Sequence, residues 1–294
     1  MLSVVITTWN EELNLPRVVS SVKKIAGEII VVDTESTDKT VEIAKKLGCI
    51  VYTHKNTGIV EPVRNFSIAK AKGDWVLLLD ADEEVNPELA DIIVKTISSD
   101  KADYYRLPRK NIIFNHWTKN SHWWPDYVYR LFKKGYISWG DEIHSIPVTR
   151  GRGADFPIDE SRAITHHHYQ TISQYILRID RYTEHQLNLL VRDKTQFTWQ
   201  QLIIKPSQEF IRQFFAREGF RDGVHGLALA GLQAVSELVL YLKLWQLTDF
   251  KQEFIPIREF NKQTLLQFKD FRWWLYQHQG ITGKILRKIK MWFI

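Results

Sequence analysis

The chain has 294 residues, 44% of them hydrophobic, so a full core is within reach and wholesale disorder is excluded. Its formal net charge of +6 points to an anionic partner: a nucleotide, a nucleic acid or a lipid surface. A single cysteine, Cys49, excludes an internal disulfide framework and fits a reducing, cytoplasmic setting.

Met1-Leu2-Ser3-Val4-Val5-Ile6 has no basic flank and no small-residue cleavage site, and reads as a first strand rather than a signal peptide. A polar loop, Asn10-Glu11-Glu12, precedes Leu13, Leu15, Val18, Val19, Val22 and Ile25 at helical spacing. Glu28 to Asp33 is a second strand ending in an acid, and Ser36-Thr37-Asp38 opens a helix that Gly48 stops. Ile50-Val51-Tyr52 is a third strand, and Glu61-Pro62 opens a helix ending near Gly73. Strands and helices alternating at this length imply right-handed crossovers and a parallel sheet.

The fourth strand, Trp75 to Leu79, runs without polar alternation into Asp80-Ala81-Asp82-Glu83-Glu84. Such a run suits a strand covered on both faces, with its acids at the carboxyl edge where open α/β sheets bind ligands. Asp80 and Asp82 are two apart, so an extended segment would aim both the same way. Two carboxylates in one small space repel unless a cation separates them, and oxygen ligands suit Mg²⁺ or Mn²⁺ holding a phosphate. The competing reading is that these acids merely lead into a helix capped by Asn86-Pro87. Asn10, Glu11, Asp33 and Asp80 all fall at strand ends, and that convergence favours the ligand. No Gly-rich fingerprint follows the first strand, which argues against a dinucleotide or P-loop site and against a nucleotidyltransferase. Asp33 is placed to accept a hydrogen bond from a base or ribose.

Thr8-Trp9-Asn10-Glu11-Glu12, Val31-Val32-Asp33-Thr34-Glu35-Ser36-Thr37-Asp38, Arg64-Asn65 and Asp80-Ala81-Asp82-Glu83 together resemble a family 2 glycosyltransferase of the GT-A fold. The resemblance implies that Thr8, Trp9 and Glu11 line the nucleotide pocket, that Asp33 holds the base, and that Arg64 lies near the diphosphate. It also implies that Asp80-Ala81-Asp82 binds the metal. For Trp9 a core aromatic is the equal alternative, and for Arg64 a solvated helix residue.

Farther along, Tyr104 to Leu107 and Tyr129 to Phe132 read as strands flanking an aromatic-rich loop, His116-Trp117 with His122-Trp123-Trp124-Pro125-Asp126, where a sugar acceptor would stack unless these aromatics simply roof the core. Arg130 is a candidate diphosphate contact, against a surface strand residue. Members of the resembled family carry His-Glu in the acceptor region, and the glutamate is the candidate base there. This chain has His144-Ser145, which leaves Asp141 or Glu142 as the candidate, against a plain polar turn. His166-His167-His168 does not make one zinc site, because neighbours in a strand alternate faces. The resemblance implies that His168 completes the metal shell or touches the diphosphate.

The expected architecture is a GT-A catalytic domain over residues 1–195, with a nucleotide half to 100 and an acceptor half from 101, then a helical extension over 196–294. Pro206 is expected to open a helix. Val224 to Leu247 is apolar but broken by His225, Glu237 and Lys243, and reads as packed or interfacial rather than spanning. The last residues, 284–294, mix cations with aromatics in the pattern of a helix on an anionic bilayer, against a helix docked on the catalytic domain with its lysines in water. The expected activity is metal-dependent, inverting transfer from a nucleotide-diphosphate sugar to a hydroxyl of an envelope glycan such as lipopolysaccharide. Transfer to polyprenyl phosphate is the alternative. A nucleic-acid-binding module would explain the charge but not the acids at strand ends, so no nucleic-acid partner is expected.

Overall fold

The computed structural model describes residues 1–58, 60–140 and 146–278. In chain order the first part gives β1 (Leu2–Thr8), α1 (Leu15–Val22), β2 (Glu28–Asp33), α2 (Thr40–Lys46), β3 (Ile50–Thr53), α3 (Glu61–Ala69), β4 (Trp75–Asp80), β5 (Glu83–Glu84) and α4 (Pro87–Ser99). There follow β6 (Tyr104–Ile113), β7 (His116–Trp117), β8 (Asp126–Lys133), β9 (Ile137–Ser138), β10 (Val148–Thr149), β11 (Gly153–Asp155) and β12 (Ile164–Tyr169).

The sheet runs β3-β2-β1-β4-β8-β6-β12-β5, with β7 and β11 also on β6, while β9 and β10 pair separately. The pairs from β3 to β4 are parallel; β8 then joins antiparallel to both β4 and β6. Side-chain alternation divides the core. Val4, Ile6, Leu77 and Leu79 pack with Leu15, Val18, Ala44 and Leu89. Val5, Val32, Val76 and Leu78 pack with Val63, Ile68 and Phe132. Each such burial contributes roughly 1.5–3 kcal/mol, so a strand covered on both faces has no place for polar alternation. The parallel register sets Thr8 beside Asp33 and Thr7 beside Asp80, which brings the three strand ends to one level. Asn86 does cap α4, accepting from the Leu89 amide at 2.8 Å, so the segment after β4 contains both a cap and a cluster of charges.

The chain divides into two compact units, one of residues 1–117 and 123–168, the other of Thr118–His122 with Tyr169 onward. The division falls after His168 rather than near 195, and the helix over the 170s and 180s belongs with the second unit. That unit contains α5 (Ile172–Arg192), α6 (Gln201–Ile211), α7 (Gly223–Gln246) and α8 (Ile257–His278). Thr171 and Gln174 form a capping box at the start of α5. Pro206 does not open α6; it sits inside it, five residues after the start at Gln201. α6 and α5 both pack on α7, so tertiary contact outweighs the hydrogen bond that Pro206 cannot donate. At Gly226 a Cβ would run into the Gly219 carbonyl, so this close approach admits only glycine. By length and composition Gly219–Gln246 could cross a membrane, its most apolar 18-residue window having a mean hydropathy of 1.5. Its Lys243 is paired with Asp180 and Glu184 of α5 at 2.8 and 3.0 Å.

Candidate active site

At the end of β1 the Thr8 hydroxyl lies 3.4 Å from Asp33 Oδ1, and the other Asp33 oxygen accepts from the Ser36 amide at 3.0 Å. Asp33 is buried, while Trp9 is 48% exposed and stands clear of the core. Asn10 adopts a left-handed φ of 54° and accepts from the Thr37 amide at 2.8 Å, which ties the β1 loop to the β2 loop. The Glu11 carboxylate accepts from Asn14 Nδ2 at 2.7 Å and braces the turn into α1.

Asp80 shares the strand face of Val76 and Leu78, the face that α3 covers. Parity therefore delivers it to Arg64 of α3, whose Nη2 lies 3.1 Å away, and to Arg130 of β8, with which it is paired. Arg130 also reaches Glu83 at 2.7 Å; Arg109 bridges Glu83 at 3.0 Å and Asp126 at 2.6 Å. Glu83 is 0% exposed, and its second oxygen accepts from the Asp80 amide at 3.0 Å. Burial would raise the Asp80 carboxyl, but Arg130 and Arg64 override it and hold it well below the usual carboxylate range. Burial pulls Arg130 down, and Asp80 and Glu83 more than reverse that. Three guanidiniums thus face three carboxylates in a largely buried cluster, an arrangement that is stable only while every partner is present. The Nε atoms of Arg64 and Arg130 are buried with no hydrogen-bond partner among the described residues.

Asp82 does not follow Asp80. The chain turns at Ala81-Asp82 before β5, so the extended geometry that would have aimed both acids together is not formed. Asp82, His166 and His168 instead present ligand atoms within 4.8 Å of one another. His166 Nε2 lies 3.3 Å from Asp82 Oδ2 and 3.2 Å from His168 Nδ1. His167 faces the other way and meets Glu84 at 3.0 Å, as strand alternation requires. The Trp123 ring lies 5.6 Å from the His168 ring, so the aromatic loop does reach this cluster. Asp80, expected among the metal ligands, is held by arginines outside the cluster.

Asp141, Glu142 and His144-Ser145 lie outside the described residues. The residue that leads toward them, Trp139, is clamped: its amide donates to Asn65 Oδ1 at 2.9 Å and its carbonyl accepts from Asn65 Nδ2 at 2.8 Å. Arg64 lies 5.4 Å over the Trp139 ring. The sequence reading missed His166, Glu83, Arg109 and Asn111. For His166 a signal was present, since positions 166 and 168 share one strand face. Glu83 stood in the strand-end acid run without a role of its own, and for Arg109 and Asn111 nothing local pointed to the site.

A sheet of this topology, with acids gathered at the carboxyl ends of parallel strands and a carboxylate–imidazole cluster beside them, is the arrangement in which open α/β folds bind a ligand. Residues 3–156 match the description of glycosyl transferase family 2. An uncharacterized glycosyltransferase of Rickettsia typhi is 32% identical over 256 residues, covering 84% of this chain and 87% of the relative. Another, from Rickettsia prowazekii, is 31% identical over 271 residues, covering 86% and 90%. The chain belongs to glycosyl transferase family 2. Among solved structures, Staphylococcus aureus TarS 1-349 is 15% identical with a TM-score of 0.44, over 86% of this chain and 93% of that one. Glucosyl-3-phosphoglycerate synthase from Mycobacterium tuberculosis, solved with Mn²⁺ and uridine-diphosphate-glucose, is 24% identical with a TM-score of 0.32, over 36% and 42%.

Proposed function

We propose that the protein moves a sugar from a nucleotide-diphosphate sugar to an acceptor hydroxyl with inversion, and that the reaction depends on a divalent cation held by Asp82, His166 and His168. The observation that carries this reading is the approach of one carboxylate oxygen and two imidazole nitrogens within 4.8 Å, beside the strand-end acids. Such a donor set fits a divalent ion, and its two nitrogens favour Mn²⁺ over the oxygen-seeking Mg²⁺. When bound, the cation supplies positive charge to a departing diphosphate.

The chain's own residues have separate tasks. Thr8, Trp9, Glu11 and Asp33 receive the nucleoside, Asp33 as the buried acceptor. Arg64 and Arg130 hold Asp80 and add positive charge close to where a diphosphate would lie. Asp141 or Glu142 takes the proton from the acceptor hydroxyl. If Asp141→Asn and Glu142→Gln both keep full turnover in folded protein, neither is the base.

The acceptor class we propose is a lipid-bound envelope glycan such as lipopolysaccharide, met at an anionic membrane on its cytoplasmic face. The tail over 284–294 lies outside the described residues, so the support comes from α8. At 100° per residue, the exposed Ile257, Leu265, Phe268 and Trp273 share one half of α8 with Arg258, Lys262 and Lys269. Glu259 and Asp270 fall on the other half. A face of cations and large apolar side chains with no acid matches an anionic lipid interface. The reaction is tested by mixing the protein with a panel of nucleotide sugars and Mn²⁺. Release of nucleoside diphosphate supports it, and no release from any donor counts against it.

A further inference from the structure

We propose that Asn111, on β6, is a positioning residue that dictates which ring nitrogen of His166 carries hydrogen. It thereby presents the other as an electron-pair donor to the cluster with Asp82 and His168. The inference rests on the cation reading of that cluster.

Asn111 is 0% exposed, so each of its polar atoms needs a partner inside the protein. Its Nδ2 lies 2.9 Å from the Trp123 carbonyl oxygen and 3.1 Å from Asp126 Oδ2, and both of these accept. Asp126 is ionised: burial alone would raise its carboxyl, but Arg109 outweighs burial and holds it low. Turned over, the amide would set its own oxygen against a carbonyl and a carboxylate, and the buried Nδ2 would lose both acceptors. The neighbours therefore fix the amide, with Nδ2 toward Trp123 and Asp126 and Oδ1 toward His166. Oδ1 lies 2.6 Å from His166 Nδ1, and an amide oxygen only accepts, so His166 Nδ1 must be the N–H. In the neutral ring Nε2 then carries the lone pair, 3.3 Å from Asp82 Oδ2. A lone pair and a carboxylate oxygen that close repel unless a proton or a metal ion binds them both, and above the histidine range the metal ion is the one we propose. The chain Arg109, Asp126, Asn111, His166 is a run of polar contacts in which each group sets the polarity of the next. His166 Nε2 is the end of that run facing the cluster.

The test uses the full chain with ¹⁵N-labelled histidine, free of divalent ions and at about pH 8, above the ordinary histidine range. His166 is assigned by the resonance lost in His166→Gln. The proposal expects hydrogen on Nδ1 and none on Nε2, with that preference lost in Asn111→Leu. Mn²⁺ alone, titrated calorimetrically, is expected to bind Asn111→Leu about 10–100-fold more weakly than wild type. A merely structural Asn111 would lower thermal stability without moving the tautomer. Hydrogen on Nε2 of wild-type His166 would overturn the proposal even if Asn111→Leu failed to fold. Mn²⁺ affinity unchanged in a folded Asn111→Leu would overturn it as well. If wild type shows the Nδ1–H ring but binds no Mn²⁺, it is the cation reading that fails, and the ligand role falls with it.

Discussion

Asp80 and Asp82 are two residues apart and meet different partners, arginines at Asp80 and histidines at Asp82. Asp80 pairs with both Arg64 and Arg130, and it is only 26% exposed. Asp80→Asn would leave two buried guanidiniums short of a partner, at a cost of about 3 kcal/mol; chemical denaturation should register it, with Mn²⁺ affinity changed far less. Asp82→Asn should do the reverse, weakening Mn²⁺ binding at nearly unchanged stability. The same balance sets a pH response. The carboxyls of Asp80 and Asp126 are both depressed in the folded chain, by Arg130 and Arg109 overriding burial. Their stabilisation is complete above the unfolded carboxyl value of about 3.9 and is lost as pH falls through the folded values. The denaturation midpoint should therefore drop below about pH 4, and more gently in Asp126→Asn, which has lost one of the two groups. A midpoint flat across that range in wild type would contradict the charge cluster. Asp33 and Asp80 were legible in the sequence as acids ending apolar runs. The separate fates of Asp80 and Asp82 were not, because the turn at Ala81-Asp82 depends on β5 pairing with β12, more than 80 residues away in sequence.

At the scale of elements, the alternating strands and helices to α4 follow from periodicity, and the structure has them in the expected order. Asn86 caps α4 as read, but α2 begins at Thr40 rather than within Ser36-Thr37-Asp38, behind Lys39, which makes no side-chain cap. Two features escaped. Pro206 suggested a helix start, but packing of α6 on α7 carries the helix through it. The helix α5 reads as a continuation of the acceptor half, yet its buried face, Tyr175, Ile179, Thr183 and Leu187, packs within the helical unit. Two elements invite tests. Asn65 of α3 holds both backbone groups of Trp139, just before the candidate bases. Asn65→Ala should cost about 1–2 kcal/mol of stability and lower turnover by more than about tenfold, since a small misplacement of a reacting group is costly. Turnover that falls only in step with stability would show that the clamp does not position the base. The outward half of α8 should bind vesicles containing anionic lipid and ignore neutral ones. Leu265→Ser with Phe268→Ser, and separately Lys262→Glu with Lys269→Glu, should each reduce co-sedimentation in the full chain. Binding that survives both, or self-association detected by light scattering instead, would assign that face to another partner.

For the whole molecule, the surplus of six positive charges was the first hint of an anionic partner. Part of the positive charge is spent inside the protein, where Arg64, Arg109 and Arg130 answer buried acids. Composition gave the sign of the partner but not its site. The strand ends point to a candidate site, and the histidine pair adds two donors to Asp82 that the acids alone did not reveal. The central claim is that glycosyl transfer in this chain depends on a divalent cation at Asp82, His166 and His168. The most direct measurement is release of nucleoside diphosphate from a nucleotide-sugar panel, with Mn²⁺ and with chelator, by wild type beside Asp82→Asn. The account predicts release that requires Mn²⁺ and falls at least about 100-fold in the folded variant. Release that persists in chelator, or that Asp82→Asn leaves intact, would contradict it.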